Sequence, residues 1–569
     1  MSGLATRKWR SRRDLATGAA RAMWNMGGLE RSEGTLGTTL ERIRKQRGLT
    51  FVRDWTFAEL LQWAARRYGE DSFIETDSEH VSFDALNRRA NTAARNLERL
   101  GVEAGDGVAL MMGNHARFLE VFFAIQKLGA YAVPVNAGLI GDGLQYILDH
   151  SEVKLCVADH LSAPVIASVR QGTPRLETVI VSSVDAAEDF ELPAGMLGYS
   201  ELQQGEGDET ANPVRTIDPE APSLLLYTSG TTGLPKAVVT PFGNQRLKAM
   251  GLMANALYSR QDKLYTCLPL FHANCLLLTV MQAMWIGIPV YISKRFSASR
   301  FWQEVADSGA TQFNTVGSMI PILLKTPPTQ YDRAHRVKRV LSAACPKDAW
   351  EVFEQRFGVD IWEAYGAVDG GGTAIANLGT GPVGSLGKPR FRYRLVGDDG
   401  SDVGADQAGE LWVHVGERKE SRVPYFKNEK ASNEKVRDGW LHTGDTMQRD
   451  GDGFLYFVGR NTDSMRRRGE NVSAYEVEKQ VDAHPDVLES AAFGVASDMG
   501  EEDIMICVVP IEGRSVDPAS MLSFLRERLP RYALPSYMDV VDALPKTATH
   551  RVIKATLKQR GVSEDTLRL

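Results

Sequence analysis

Cysteine is scarce in this chain, and no two cysteines stand where they could share a metal. The five present (Cys156, Cys267, Cys275, Cys345 and Cys507) are scattered over 569 residues. They are odd in number and form no CxxC pair or Cys/His ligand spacing, so neither a disulfide framework nor a zinc module is supported. A reducing, cytoplasmic compartment fits. Positive charge is not in excess either: the net charge of -6 gives no general attraction to nucleic acid. No charged-then-apolar secretory pattern opens the sequence. The longest apolar stretch, Cys275 to Ile292, is broken by Gln282, Gly287 and Pro289 and barely reaches the ~20 residues of a membrane span. It reads as a core helix leading into a buried strand. The common nucleotide loop GxxxxGK[ST] is missing as well.

What is present is the composition of a soluble, well-cored protein, 43% hydrophobic and 24% charged, in a chain too long for one ordinary domain. Residues 1–50 differ from the rest. Arg7, Lys8, Arg10, Arg12, Arg13 and Arg21 are interleaved with Trp9, Met23, Trp24 and Met26. Such an arm can rest on an anionic membrane surface, which would make the protein membrane-peripheral, or stay solvated against the body. Beyond it, TFAELLQWAARRYG and FDALNRRANTAARNLERLG carry helical periodicity and end near glycine. The runs GVALMM, YAVPV and VKLCVA read as buried strands of a parallel sheet. The fold class expected is therefore layered α/β. Near Gly459 the texture changes to smaller units, which predicts a large domain over 51–459 and a small α+β domain over 460–569, about 110 residues. Lys294 to Trp302 reads as a helix entry whose serines, Ser297 and Ser299, can cap.

The chemistry begins after the apolar strand SLLLY, at Thr228-Ser229-Gly230-Thr231-Thr232-Gly233-Leu234-Pro235-Lys236. Glycines let backbone N–H groups turn toward an anion; the hydroxyls add neutral donors and Lys236 a charge. Such a loop can hold a polyphosphate while its charge rearranges. With this string the sequence resembles the superfamily of acyl-CoA synthetases, luciferases and peptide-synthetase adenylation domains, and the resemblance runs from about Trp55 to about Lys558.

That resemblance implies further site residues. Leu268-Pro-Leu-Phe271-His272 is similar to an aromatic–histidine signature beside the substrate carboxylate, and Thr315-Val316-Gly317-Ser318-Met319 to the turn lining the acyl pocket. Tyr365-Gly366-Ala-Val368-Asp369 resembles a YGxTE motif, in which Tyr365 would stack on adenine and Asp369 would meet Mg2+. Val368 replaces the usual threonine there, and Asp369 the usual glutamate. Asp445, in a TGD element, would bind the ribose hydroxyls; Arg460, in GRxxD, would reach ribose or phosphate. Thr462 and Asp463 would form the hinge about which the small domain rotates. Arg468, Gly469 and Glu470 would approach the pantetheine arm of coenzyme A. In Pro545-Lys546-Thr-Ala-Thr549-His550-Arg551-Val-Ile-Lys554, Arg551 stands where the family has its catalytic lysine; Lys554 and Lys546 are the alternatives.

The function implied is ATP-dependent activation of a carboxylic acid to an acyl-AMP, followed by transfer to coenzyme A, with ATP, Mg2+ and CoA required. The wording KRFSASRFW and GENVSAYEVE is nearest the fatty-acid transport protein and carnitine–CoA ligase branches. It suggests a fatty or otherwise apolar acid, and leaves a betaine acid and a homodimer open. An acyl-AMP ligase that does not use CoA, and a catalytically weakened binding protein on the same fold, remain as alternatives.

Overall fold

The computed structural model describes residues 55–569 except 185–189, 205–207, 214, 229–233, 244, 317–318, 371–373, 398, 417–422, 461–463, 498–499, 546–551 and 553. The basic arm thus lies outside the described residues. Two large sheets form the first body. One has seven strands in the order Leu197–Gly198, Thr178–Ser182, Val153–Asp159, Gly107–Met111, Tyr131–Pro134, Pro222–Thr228 and Lys236–Pro241. It is parallel except at the last pair. The second has eight strands, with a parallel centre running through Leu264–Thr266, Gln312–Val316, Arg339–Ala343 and Asp360–Gly366. The runs read as buried strands are strands, and Gly107–Met111 is buried at every residue.

The helix Ala116–Leu128 is buried almost all round, and its Phe118, Phe122 and Phe123 join one apolar core with residues of both sheets. Its polar residues are all partnered. Glu120 takes an ion pair from Arg89 at 2.9 Å and a hydrogen bond from the Tyr199 hydroxyl at 2.9 Å. Gln126 donates to the Ser223 carbonyl. Lys127 donates to Asn87 and Asn212, each at 2.8 Å. The expected helices are present at Phe57–Tyr68, closed at its start by a Thr56–Glu59 capping box, and at Phe83–Arg99, capped by Ser82.

The apolar stretch from Cys275 is a core segment: a π-helical turn at Leu276–Val280, the helix Met281–Ile286 and the strand Val290–Ile292. Among the described residues no helix is long and apolar enough to cross a membrane. The capping expectation for Ser297 and Ser299 is not met. The helix starts at Phe301 after Arg300, with no side-chain cap, and the Ser297 and Ser299 hydroxyls lie 3.5 Å from each other. Lys294, Arg295 and Phe296 instead line the cavity described below.

A five-stranded antiparallel sheet follows, built on Ala408–His414 and Trp440–Arg449, with Leu455–Arg460 along the latter. The smaller C-terminal body carries a hairpin, Ser464–Arg467 with Glu470–Ser473, and a mixed four-stranded sheet with its own core around Val477, Ile506 and Met538. This is the layered α/β architecture with a large N-terminal and a small C-terminal domain.

Burial drives the Lys127 ammonium down to about 7. The unfolded chain therefore binds a proton that the folded chain does not between about pH 7 and the ordinary lysine value near ~10.4. Stability should rise with pH across that window. The Tm of the wild type is expected to gain on Lys127→Met from pH 7 to 10 and to run parallel to it below pH 7. A constant difference from pH 7 to 10 would contradict this account.

Candidate active site

The ends of these sheets surround a cavity of about 1770 Å³. Its first wall is the hairpin mouth where Thr228 pairs with Lys236. The Thr228 hydroxyl donates to the Lys236 carbonyl at 3.3 Å, and the Lys236 ammonium lies 5.7 Å from the centre of the Tyr425 ring. Ser229, Gly230, Thr231, Thr232 and Gly233, between the two paired ends, are outside the described residues.

The second wall is the end of the strand Asp360–Gly366. The Tyr365 hydroxyl donates to Asp445 Oδ2 at 2.6 Å, joining the eight-stranded sheet to the antiparallel one. Arg460 pairs with Asp445 in the ladder, so the backbone brings these two together. Gly366 lines the same cavity. Behind Tyr365, Glu363 is buried and accepts from the backbone N–H groups of Ala344 and Cys345, and burial pushes its carboxyl up to about 8. Those bonds hold Ala344 at a φ of 68°, a conformation unusual for alanine.

Asp369 accepts from the Tyr425 hydroxyl at 2.7 Å and pairs with Lys435 at 2.8 Å. Burial beside the Asp369 charge raises the Tyr425 phenol far above its ordinary range. No group of three metal-binding side chains gathers among the described residues. A single hard carboxylate fits a Mg2+ that takes most of its ligands from nucleotide phosphates; Asp369 would be the protein ligand, sharing its charge with Lys435.

The third wall is apolar. Phe271 and His272 stand at its entrance, with ring centres 4.6 Å apart, and Val316 ends the strand Gln312–Val316. Gly317 is outside the described residues.

The small domain closes the cavity with the tip of its hairpin. Arg468 and Gly469 both have positive φ, 53° and 82°, as a two-residue turn between paired Arg467 and Glu470 requires. A side chain on Gly469 would lie 3.2 Å from Val316 Cγ2, tighter than an ordinary contact, and would also be strained by the positive φ. Glu470 Oε2 lies 2.9 Å from His272 Nε2. The arginine run divides by role. Arg467 is buried and bonds Leu534, Ser536 and Asp503 within its own domain, whereas Arg468 is exposed at the tip.

The structure does not bring Lys554 to the cavity. Its ammonium pairs with Glu478 Oε1 at 2.7 Å, on the small domain's own helix. Thr462, Asp463 and Arg551 lie outside the described residues, as does Lys546. Tyr425, Lys435, Glu363 and Asn274 line or support the site without having been singled out from sequence. Asn274 stood two residues beyond His272, but nothing in the pattern around Lys435 marks it.

Layered sheets whose strand ends meet around one large cavity, closed by a second small domain, form the frame of an enzyme that can hold a nucleotide and a second substrate together. The chain belongs to the AMP-binding enzyme family: the model of the AMP-binding enzyme matches residues 61–416, and that of the AMP-binding enzyme C-terminal domain matches 476–551. It is 31% identical over 515 residues to crotonobetaine/carnitine–CoA ligases of Salmonella paratyphi A and Salmonella typhi, covering 87% of this chain and 97% of each relative. Two solved structures share its fold. An o-succinylbenzoate CoA synthetase from Bacillus subtilis superposes with TM-score 0.72 at 24% identity (88% and 98% of the chains), and an amide bond synthetase from Marinactinospora thermotolerans with 0.73 at 19% identity (89% and 99%). The chain is an AMP-forming acid–CoA ligase, and its small-molecule partners are ATP with Mg2+, a carboxylic acid and coenzyme A.

The Tyr365–Asp445 bond gives a direct test. Tyr365→Phe keeps the ring but removes a hydrogen bond to a carboxylate, worth about 1.5–3 kcal/mol. AMP affinity, measured by calorimetry, is expected to fall about tenfold in Tyr365→Phe and further in Asp445→Ala. Unchanged affinity in both would detach this pair from the nucleotide.

Proposed function

We propose that this ligase activates an uncharged, apolar carboxylic acid, and that the motif residues divide the work as follows. The loop from Thr228 to Gly233 and Lys236 hold the ATP phosphates, Tyr365 carries the adenine, and Asp445 with Arg460 holds the ribose. Mg2+ arriving with the nucleotide beside Asp369 would neutralise phosphate charge. In the first step a carboxylate oxygen bonds to the α-phosphorus, the bond to the β-phosphate bridge breaks, and pyrophosphate leaves. Arg551, always charged and able to meet carboxylate and phosphate together, is the mobile cation we assign to this step. In the second step the thiol of coenzyme A gives up its proton, its sulfur bonds to the acyl carbon, the bond from that carbon to the phosphate oxygen breaks, and AMP leaves with that oxygen.

The observation that carries this reading is the seating of the hairpin: Glu470 on His272 and Gly469 on Val316, while Lys554 stays on Glu478. That arrangement supports the thiol-transfer stage, with Lys554 withdrawn from the cavity. The Glu470 carboxylate accepts from His272 Nε2–H and so fixes the imidazole at the mouth. Adenylation then calls for the small domain, residues 460–569, to turn about Thr462 and Asp463 and bring Arg551 in.

The acid's character follows from the apolar wall. Met250, Met253 and Leu257 of one helix, Leu277 of the π turn, and Met319 and Ile322 of another helix face the cavity. The cavity's described carboxylates lie elsewhere, at Asp369, on or beside the antiparallel sheet, and on the small domain. A quaternary ammonium would call for a carboxylate or an aromatic cage on the acyl wall. The likeness to crotonobetaine/carnitine–CoA ligases favours the betaine reading, so both classes belong in the test.

Pyrophosphate release should be measured over short, long, ring-bearing and betaine-type acids, with and without CoA. Apolar acids are expected to drive release and yield a CoA thioester; thioester from the betaines alone would overturn the assignment of the acid. Glu470→Gln should slow CoA-dependent thioester formation from acyl-AMP about tenfold more than it slows pyrophosphate release. Equal slowing would remove the His272–Glu470 contact from the transfer step.

A further inference from the structure

One polar side chain interrupts the apolar wall. Asn274 lies two residues beyond His272, in the short helical turn Ala273–Cys275 that runs into the π turn. It lines the cavity beside Leu277 and Leu278. Its amide is oriented from behind by Asn314, on the strand that ends at Val316. Asn314 Nδ2 donates to Asn274 Oδ1 at 3.0 Å, to Thr279 Oγ1 at 3.1 Å, and weakly toward the Leu278 carbonyl at 3.5 Å.

These partners fix which end of each amide is which. A carbonyl only accepts. The Thr279 hydroxyl gives its one hydrogen to the Asn274 carbonyl at 3.3 Å, so toward Asn314 it also accepts. Nitrogen must therefore be the Asn314 atom in the contact, and oxygen the Asn274 atom that meets it. This leaves Asn274 Nδ2 as the free end of its amide, with no protein partner among the described residues. The surrounding methionine and leucine side chains cannot accept its hydrogens with any strength. Asn314 is itself buried and is held by Thr279 as well, so it offers Asn274 Oδ1 a fixed donor.

We propose that Asn274 is a specificity-determining residue: its N–H groups select acids that carry an acceptor oxygen (a ketone, hydroxyl or ether) on an otherwise apolar acyl body. This rests on the reading of the apolar wall as the acyl wall. A pocket built to pair a polar group discriminates against the analogue that lacks it, because the pocket's own group is then left unpaired. The same positive edge of the amide disfavours a quaternary ammonium.

The test uses pairs of non-hydrolysable acyl-sulfamoyl adenosines, identical except for a keto or hydroxyl oxygen placed at successive positions along the acyl chain. Their affinities for the full-length protein are read by calorimetry. At one or more positions the oxygenated member is expected to bind about tenfold more tightly than its plain partner. Asn274→Leu should bring that ratio to one, and Asn274→Asp, which presents acceptors of similar size, should favour the plain or the hydroxyl member over the ketone. A wild-type ratio of one at every position, or a preference unchanged in both variants, overturns the proposal. Tight binding of all pairs alike would do so while leaving acid adenylation standing. If no acyl-sulfamoyl adenosine binds, the reading of the cavity as the acyl-AMP site falls, and this inference with it.

Discussion

Partnered carboxylates hold the cavity together. A charge or phenol placed at the meeting point of several sheets must find its counterpart on another element, because burial without a partner costs more than the contact returns. Each such contact here crosses a boundary. Tyr365 reaches from the eight-stranded sheet to Asp445 on the antiparallel one. Lys435 and Tyr425 reach Asp369 at the end of the strand beyond Tyr365. Glu470 of the small domain meets His272 of the large. The layers are thus registered to one another by the same groups that line the cavity.

This bears on the departures from the family pattern. Asp369 is one methylene shorter than the glutamate expected there, and it lies against a lysine and a tyrosine that crowd the same oxygen. Its charge is balanced before nucleotide arrives. In the proposed role Asp369 would therefore meet the metal with its charge already shared, while Lys236 stands nearby over the Tyr425 ring.

The fold was readable where the pattern was local. The periodicity of 56–68 and 83–99 and the β-rich runs at 107–111, 131–134 and 153–159 needed only side-chain spacing, and the strand before the phosphate loop announced itself by SLLLY. The motifs placed His272, Tyr365, Gly366, Asp369 and Asp445 around one cavity. What escaped depends on tertiary contact. Arg467 and Arg468 are neighbours of one type, yet one is tied to Leu534 and Ser536 and the other is exposed, a difference set by which face of a hairpin each occupies. Asn274 and Asn314 lie forty residues apart and become a pair only because the helical turn Ala273–Cys275 sits beside the strand that carries Asn314. Ser297 and Ser299 had the composition of a cap but bond each other instead.

The tip of the hairpin has one more consequence. At Gly469 the small domain meets Val316 so closely that an added methyl group would lie 3.2 Å from Val316 Cγ2, tighter than an ordinary contact. A wall seated that tightly cannot sort molecules by size, since anything lodged in the seam would hold it open. On the proposed rotation of the small domain it would act as a shutter instead of a sieve. Selection would then be left to the walls of the large domain, and the hairpin tip would decide only when each event takes place.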